Sequence, residues 1–118
     1  MLILIAGPYR SGTQDKPELI AQNLANLEAM ALPIFRKGHV PMIGEWVALP
    51  LVHLAGSQQM GDDIWNEIQY PVAHRLLEKC DAVLRILGAS KGADQDVAIA
   101  KERGIPVYFS LEEIPDAE

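Results

Sequence analysis

The stretch SKGADQDVAIA, residues 90–100, puts a serine and a glycine ahead of two aspartates, Asp94 and Asp96, and then turns apolar. Serine, glycine and acidic residues gather at helix starts, where free N–H groups and the positive end of the helix dipole favour oxygen atoms and negative charge. Helical spacing separates the two acids. At about 100° per residue, a helix over 93–103 collects Ala93, Val97, Ile99 and Ala100 on one side and Lys101 and Glu102 on the other. Asp94 falls on the charged side. Asp96 falls among the apolar positions, so its carboxylate is expected to face the sheet and the strand ends. A carboxylate at the mouth of a pocket can attack an electrophilic sugar carbon, as in retaining glycoside cleavage. It must be ionised to do so, and the helix start and the Ser90 hydroxyl are both expected to favour that form.

The elements that must position this stretch follow from the hydrophobic pattern. Leu2 to Ala6 is a short apolar run stopped by Gly7-Pro8, the mark of a strand buried on both faces. From Pro17, the residues Ile20, Leu24, Leu27, Ala31 and Ile34 recur at helical spacing up to Gly38, with Pro33 expected to kink or end that helix early. His39 to Ile43 reads as a second strand. Asp62 or Asp63 can cap a helix through Ile64, Ile68, Val72 and Leu76 to Lys79, interrupted at Pro71. A third strand over 81–87, the helix over 93–103 and a fourth strand over 105–109 complete the alternation. This pattern predicts a three-layer α/β fold of the Rossmann or flavodoxin-like kind. Its sheet would be mostly parallel, with four or five strands and helices on both faces. Ligands in such sheets collect at the carboxyl ends of the strands. Two loops fall there, GPYRSGT after the first strand and GASKG after the third. Residues 44–61 are long, apolar and hard to assign, whether as a lid, a short helix or a subunit contact.

Composition narrows the chemistry. The 118 residues, 49% apolar, suit one domain spanning 1–118. A net charge of -6 argues against a grip on nucleic-acid polymers, while leaving a free nucleotide open. The single cysteine, Cys80, has no partner for an internal disulfide, Met1 to Ala6 lacks the basic start of a signal peptide, and no apolar run is long enough to span a membrane. A cytoplasmic protein is expected. His39, His53 and His74 lack the spacing of a zinc site, GPYRSGT lacks the Lys-Ser/Thr ending of a phosphate-binding loop, and GASKGA lacks the three-glycine dinucleotide fingerprint. No metal or cofactor is therefore expected.

LILIAGPYR near the start, followed by CDAVLRILGASKGADQDVAIAKERGIPV, resembles the nucleoside 2-deoxyribosyltransferase superfamily, including its 2′-deoxynucleoside 5′-phosphate N-hydrolase branch. The likeness covers most of the chain and is weakest over 44–61. It implies that Asp96 stands where the family carries a nucleophilic Glu. It also implies that Ser90 occupies the place that binds the 5′-phosphate in the phosphate-preferring branch, and that Gly92 matches the family glycine. Gly7, Tyr9 and Arg10 match the first loop, with Ser11 and Gly12 completing a polar turn. Where the family commonly has an Asp that orients sugar or base, this chain reads Ala73-His74.

The expected activity is cleavage or transfer at the N-glycosidic bond of a (deoxy)nucleoside or its 5′-monophosphate. Asp96 and Tyr9 would be catalytic, while Gly7, Arg10, Ser11, Arg85, Ser90, Gly92 and Asp94 would hold substrate. Arg85 enters that set because a guanidinium inside the apolar run AVLRIL needs an acid or an anion as partner. Trp46 and Trp65 read as core or interface residues, with stacking of Trp46 on a base as the alternative. A non-catalytic nucleotide- or nucleotide-sugar-binding module is the competing reading, and an oligomeric scaffold is a third. A homo-oligomer is expected because the apolar segment around Trp46 to Leu54 exceeds what a small sheet can cover.

Overall fold

The computed structural model describes residues 1–117. Its elements are β1 (Leu2–Ala6), α1 (Pro17–Glu28), α2 (Ala31–Arg36), β2 (Val40–Ile43), α3 (Gly44–Leu54), α4 (Asp63–Leu77), β3 (Ala82–Arg85), α5 (Lys91–Glu102) and β4 (Val107–Tyr108), followed by a short 3₁₀ turn over Leu111–Glu113. The four strands pair in the order β2-β1-β3-β4, and every pairing is parallel. Because successive side chains of a strand point to opposite faces, β1 divides its apolar run between two cores. Ile3 and Ile5 pack with Leu27, Ile34, Ile43 and Leu84 on the face covered by α1 and α2. Leu4 and Ala6 pack with Leu77, Val83, Ala93 and Ala100 on the face covered by α4 and α5. The result is a three-layer α/β fold with the flavodoxin-like strand order.

From β1 the chain crosses to β2 on one side, and from β2 it crosses back to β3 on the other. The carboxyl ends of these strands therefore flank the point where the winding reverses. Open parallel sheets leave a crevice there.

Pro33 ends the first helix early, as expected, while other elements differ from their sequence expectation. The first helix breaks at Ala29-Met30, ahead of Pro33. A proline ring collides with the carbonyl four residues earlier, here that of Ala29, so the chain ends α1 and restarts with Pro33 in the first turn of α2, where no N–H is required. Pro71 does not interrupt its helix: α4 runs unbroken over 15 residues with Pro71 inside, and α3 likewise contains Pro50. Each proline forfeits one backbone bond, and packing of α3 and α4 on one another, with α5 against α4, offsets the loss. The unassigned 44–61 segment is α3 and the turn that leads to α4. β1 matches its apolar run, while β2, β3 and β4 are shorter than theirs by one or two residues at an end. Among the described residues, no helix is long and apolar enough to cross a membrane.

Candidate functional site

The loops after β1 and β3 meet at the carboxyl edge of the sheet. A side chain at Gly7 would run into Ile86 and Leu27, and one at Gly88, where φ is +118°, would lie 2.6 Å from Pro8 Cγ. Glycine at both positions lets the loops touch. The first loop is fixed further along: Asn23 of α1 donates to the Tyr9 carbonyl at 2.8 Å, and Thr13, buried, donates its hydroxyl to the Arg10 carbonyl at 2.6 Å. The Arg10 guanidinium forks onto Asp15 at 2.6 and 3.0 Å. That contact raises the arginine above, and lowers Asp15 below, their ordinary pKa values.

A cavity opens beside these loops, bordered by Gly7, Tyr9, Arg10 and Ser11 from the first loop and by Ser90, Gly92 and Asp96 from α5 and its cap. Two further sides come from α3, which the sequence left unassigned, and from α4. Glu45 stands in the first turn of α3, directly beyond β2, and α4 contributes Trp65, Asn66, Gln69, Tyr70 and Ala73. The Tyr9 and Trp65 rings stack, with centroids 6.4 Å apart and planes 17° apart. Gln69 Nε2 donates to Glu45 Oε2 at 3.1 Å, while Gln69 Oε1 is buried without a hydrogen-bond partner.

Two carboxyl groups thus share one poorly hydrated space. Burial, and then the nearby Glu45 charge, push Asp96 up to about 7, against a smaller opposing pull from Arg85. Burial also raises Glu45, against the lowering effect of its hydrogen bonds from Gln69 and the backbone. The Tyr9 phenol is raised by burial and then by Glu45. The expectation that the helix start and Ser90 would keep Asp96 ionised is therefore corrected. Ser90 Oγ accepts from the Ala93 N–H at 3.1 Å as the α5 N-cap, and Asp96 lies beyond the first turn, past the free N–H groups.

Two residues expected to hold substrate lie outside this cavity. Arg85 turns back on its own loop, donating to the carbonyls of Ile86 and Gly88 and to Asp94 Oδ1, the last at 3.0 Å. The pair borders a separate depression with Leu87, Val97, Lys101 and Phe109. Asp94 is exposed, as its helical phase requires, and serves Arg85. Trp46 is also elsewhere: its Nε1 donates to Glu28 Oε2 at 2.9 Å. Ala73 reaches the cavity, whereas His74 borders an adjacent depression with Lys91 and Asp94. Among the described residues, no group of three or more His, Cys, Asp or Glu side chains converges on a metal position.

Sequence reasoning missed Glu45, Trp65 and Gln69. A usable signal existed for Glu45, which lies two residues past the end of β2 and so at the same sheet edge as the two loops. No such signal marked Gln69, which reaches the cavity only because α4 packs against α3.

No family model and no curated protein matches the chain. Among solved structures, it is similar to the 2-deoxyribosyltransferase of the psychrotolerant bacterium Bacillus psychrosaccharolyticus, a protein described as a biocatalyst for nucleoside synthesis. The TM-score is 0.65 and the identity 15%, over 91% of this chain and 69% of the other. The chain therefore shares the fold of that transferase.

Proposed function

We propose that residues 1–118 form a nucleoside 2-deoxyribosyltransferase-like domain that breaks or exchanges the N-glycosidic bond of a (deoxy)nucleoside or its 5′-monophosphate. The observation that carries this reading is Asp96: a carboxyl turned inward from α5 into a cavity at the winding reversal of a parallel sheet. The shared fold with a nucleoside-handling transferase supports it. Asp96, once ionised, attacks the anomeric carbon. The leaving base departs, and water or a second base resolves the glycosyl-enzyme on the face the base has vacated. Tyr9, braced by Trp65, positions the sugar against Asp96. Arg10, Ser11, the capped start of α5 at Ser90 and Gly92 form the polar wall that takes the phosphate or hydroxyls, with Gly7 allowing close approach. The Arg85–Asp94 pair supports this wall from behind by holding the Gly88 carbonyl. The buried Gln69 Oε1 needs a donor, which a sugar hydroxyl or a base amine supplies.

The test is covalent capture. A 2′-fluorinated nucleoside, whose glycosyl-enzyme hydrolyses slowly, is expected to add one sugar mass to the wild-type chain at Asp96 and none to Asp96→Asn. Binding without an adduct, and without base release from a broad nucleoside and nucleotide panel, would favour the non-catalytic binding module. Free base accumulating without an acceptor base marks the hydrolase branch, and dependence on an acceptor marks transfer.

A further inference from the structure

From the placement of the two carboxyls we infer that Glu45 is the second catalytic residue of this site, the acid that protonates the departing base while Asp96 takes the sugar. The inference rests on the glycosidic reading above and adds a residue to it. Glu45 and Asp96 reach one cavity from different helices, α3 and α5, at the same sheet edge. Gln69 Nε2 engages Oε2 of Glu45, so a proton held by this carboxyl belongs on Oε1. A carboxylic acid so held accepts from the amide through its carbonyl oxygen and presents its O–H on the other side. In the same direction, two anionic carboxylates in one desolvated cavity repel, and burial raises both groups, so the site favours a form with a proton shared between them.

The other groups facing the pair are Tyr9 and Arg10 of the first loop, Tyr70 of α4, and Arg85 of β3 behind Asp96. Neither tyrosine supplies a cation. Arg10 is already forked onto Asp15, and Arg85 onto Asp94. No basic side chain is thus committed to neutralising both carboxyls, and the proton does so.

The steps balance. Asp96 holds a proton up to about pH 7, and the reactive form is the one in which the shared proton sits on Glu45 instead: an oxygen of ionised Asp96 then bonds to the anomeric carbon as the carbon–nitrogen bond to the base breaks, and the Glu45 proton passes to the base. Glu45, now a carboxylate, takes a proton from water, or from the ring N–H of an acceptor base. The oxygen or nitrogen so activated bonds to the anomeric carbon as the Asp96 ester bond breaks. The pair again holds one proton.

The experiment compares purine 2′-deoxynucleosides and their 5′-monophosphates with the same compounds methylated at N7, whose cationic base leaves without help from an acid. Glu45→Gln is expected to lose about a hundred-fold or more in cleavage of the unmethylated substrates, the usual range for removing an acid catalyst, and to keep cleavage of the methylated ones within a few-fold. Asp96→Asn is expected to lose both. Carbon-13 NMR of the carboxyl groups gives a readout independent of turnover: in Glu45→Gln, Asp96 should titrate below its wild-type midpoint, while burial still holds it above a free carboxyl. Equal loss on both substrate sets, no loss on either, or an unmoved Asp96 titration overturns the role of Glu45 alone. A wild-type chain that cleaves neither set overturns the glycosidic reading, and the inference with it. Should Glu45→Gln fail to fold, Gln69→Leu, which unties the same carboxyl, is expected to reproduce the selective loss in weaker form, and equal rates on both sets would overturn the inference.

Discussion

Asp96 carries a thermodynamic mark of its position. The folded chain keeps its proton up to about pH 7, whereas an unfolded chain gives it up near the ordinary aspartate value of 3.8. Between those values the folded state binds more protons than the unfolded one, so stability falls as pH rises through that window and stays low above it. The penalty is at most about 4 kcal/mol by linkage, and residual solvent access reduces it. Asp96→Asn replaces the charge with a neutral amide of the same shape. It is therefore expected to melt at a higher temperature than wild type at pH 8 and at the same temperature at pH 4, as scanning calorimetry at the two pH values would reveal. Equal melting points at pH 8 would mean that Asp96 is not desolvated. At this scale the sequence was legible where one helix decides a direction, since phase alone separates Asp96 from Asp94. It was not legible where the environment decides, because the shift of Asp96 comes from burial and from Glu45, 51 positions away in the chain.

Among the elements, α5 and the loop before it bear the site. Ser90 is buried and spends its hydroxyl on the Ala93 N–H, so Ser90→Ala leaves that donor unpaired in a dry place. A loss of about 1 kcal/mol is expected, read from the urea midpoint, together with weaker nucleotide binding as the first turn of α5 frays. Gly88→Ala tests the meeting of the two loops. It forces a side chain into a positive φ and against Pro8, and a loss of about 1–3 kcal/mol is expected, with thermal unfolding as the readout. A neutral result would show that the loops part readily. Strand runs and helix starts were visible in the sequence because their signals are local: the apolar run of β1, Asp62 as a cap, Pro17 in the first turn of α1. Pro71 misled because a helix packed against its neighbours tolerates a break that an isolated one would not, as α3 also tolerates Pro50. Residues 44–54 carried no clear period because α3 is apolar on more than one side.

That second apolar side belongs to the molecule as a whole. The parallel sheet and its two covered faces were readable from the alternation of runs, since consecutive parallel strands need crossovers and helices must cover both faces. What lies beyond those layers was not readable, because it depends on which face of each helix the sheet accepts. In α3 the inner side, packed chiefly against α4, takes Ala48 and Val52, both buried. Trp46, Pro50 and Leu54, spaced four apart, form a stripe on the outer side, with Leu51 beside it. Leu54 remains 79% exposed, and Leu87 and Phe109 are exposed near the Arg85–Asp94 depression. Single exposed leucines are ordinary, but a stripe along a helix that also lines the cavity through Glu45 is a surface that burial against another subunit would stabilise. We expect the chain to associate through this stripe, at least as a dimer, as light scattering at micromolar concentration would report. Leu54→Glu, which places a charge on the stripe and leaves Ala48, Val52 and Glu45 untouched, is expected to yield monomer with the fold retained by circular dichroism. Because α3 also positions Glu45, the monomeric variant is expected to turn over more slowly at saturating substrate. A wild-type chain that is monomeric throughout the micromolar range, or a Leu54→Glu chain that assembles as wild type does, would show that the outer side of α3 has no such partner.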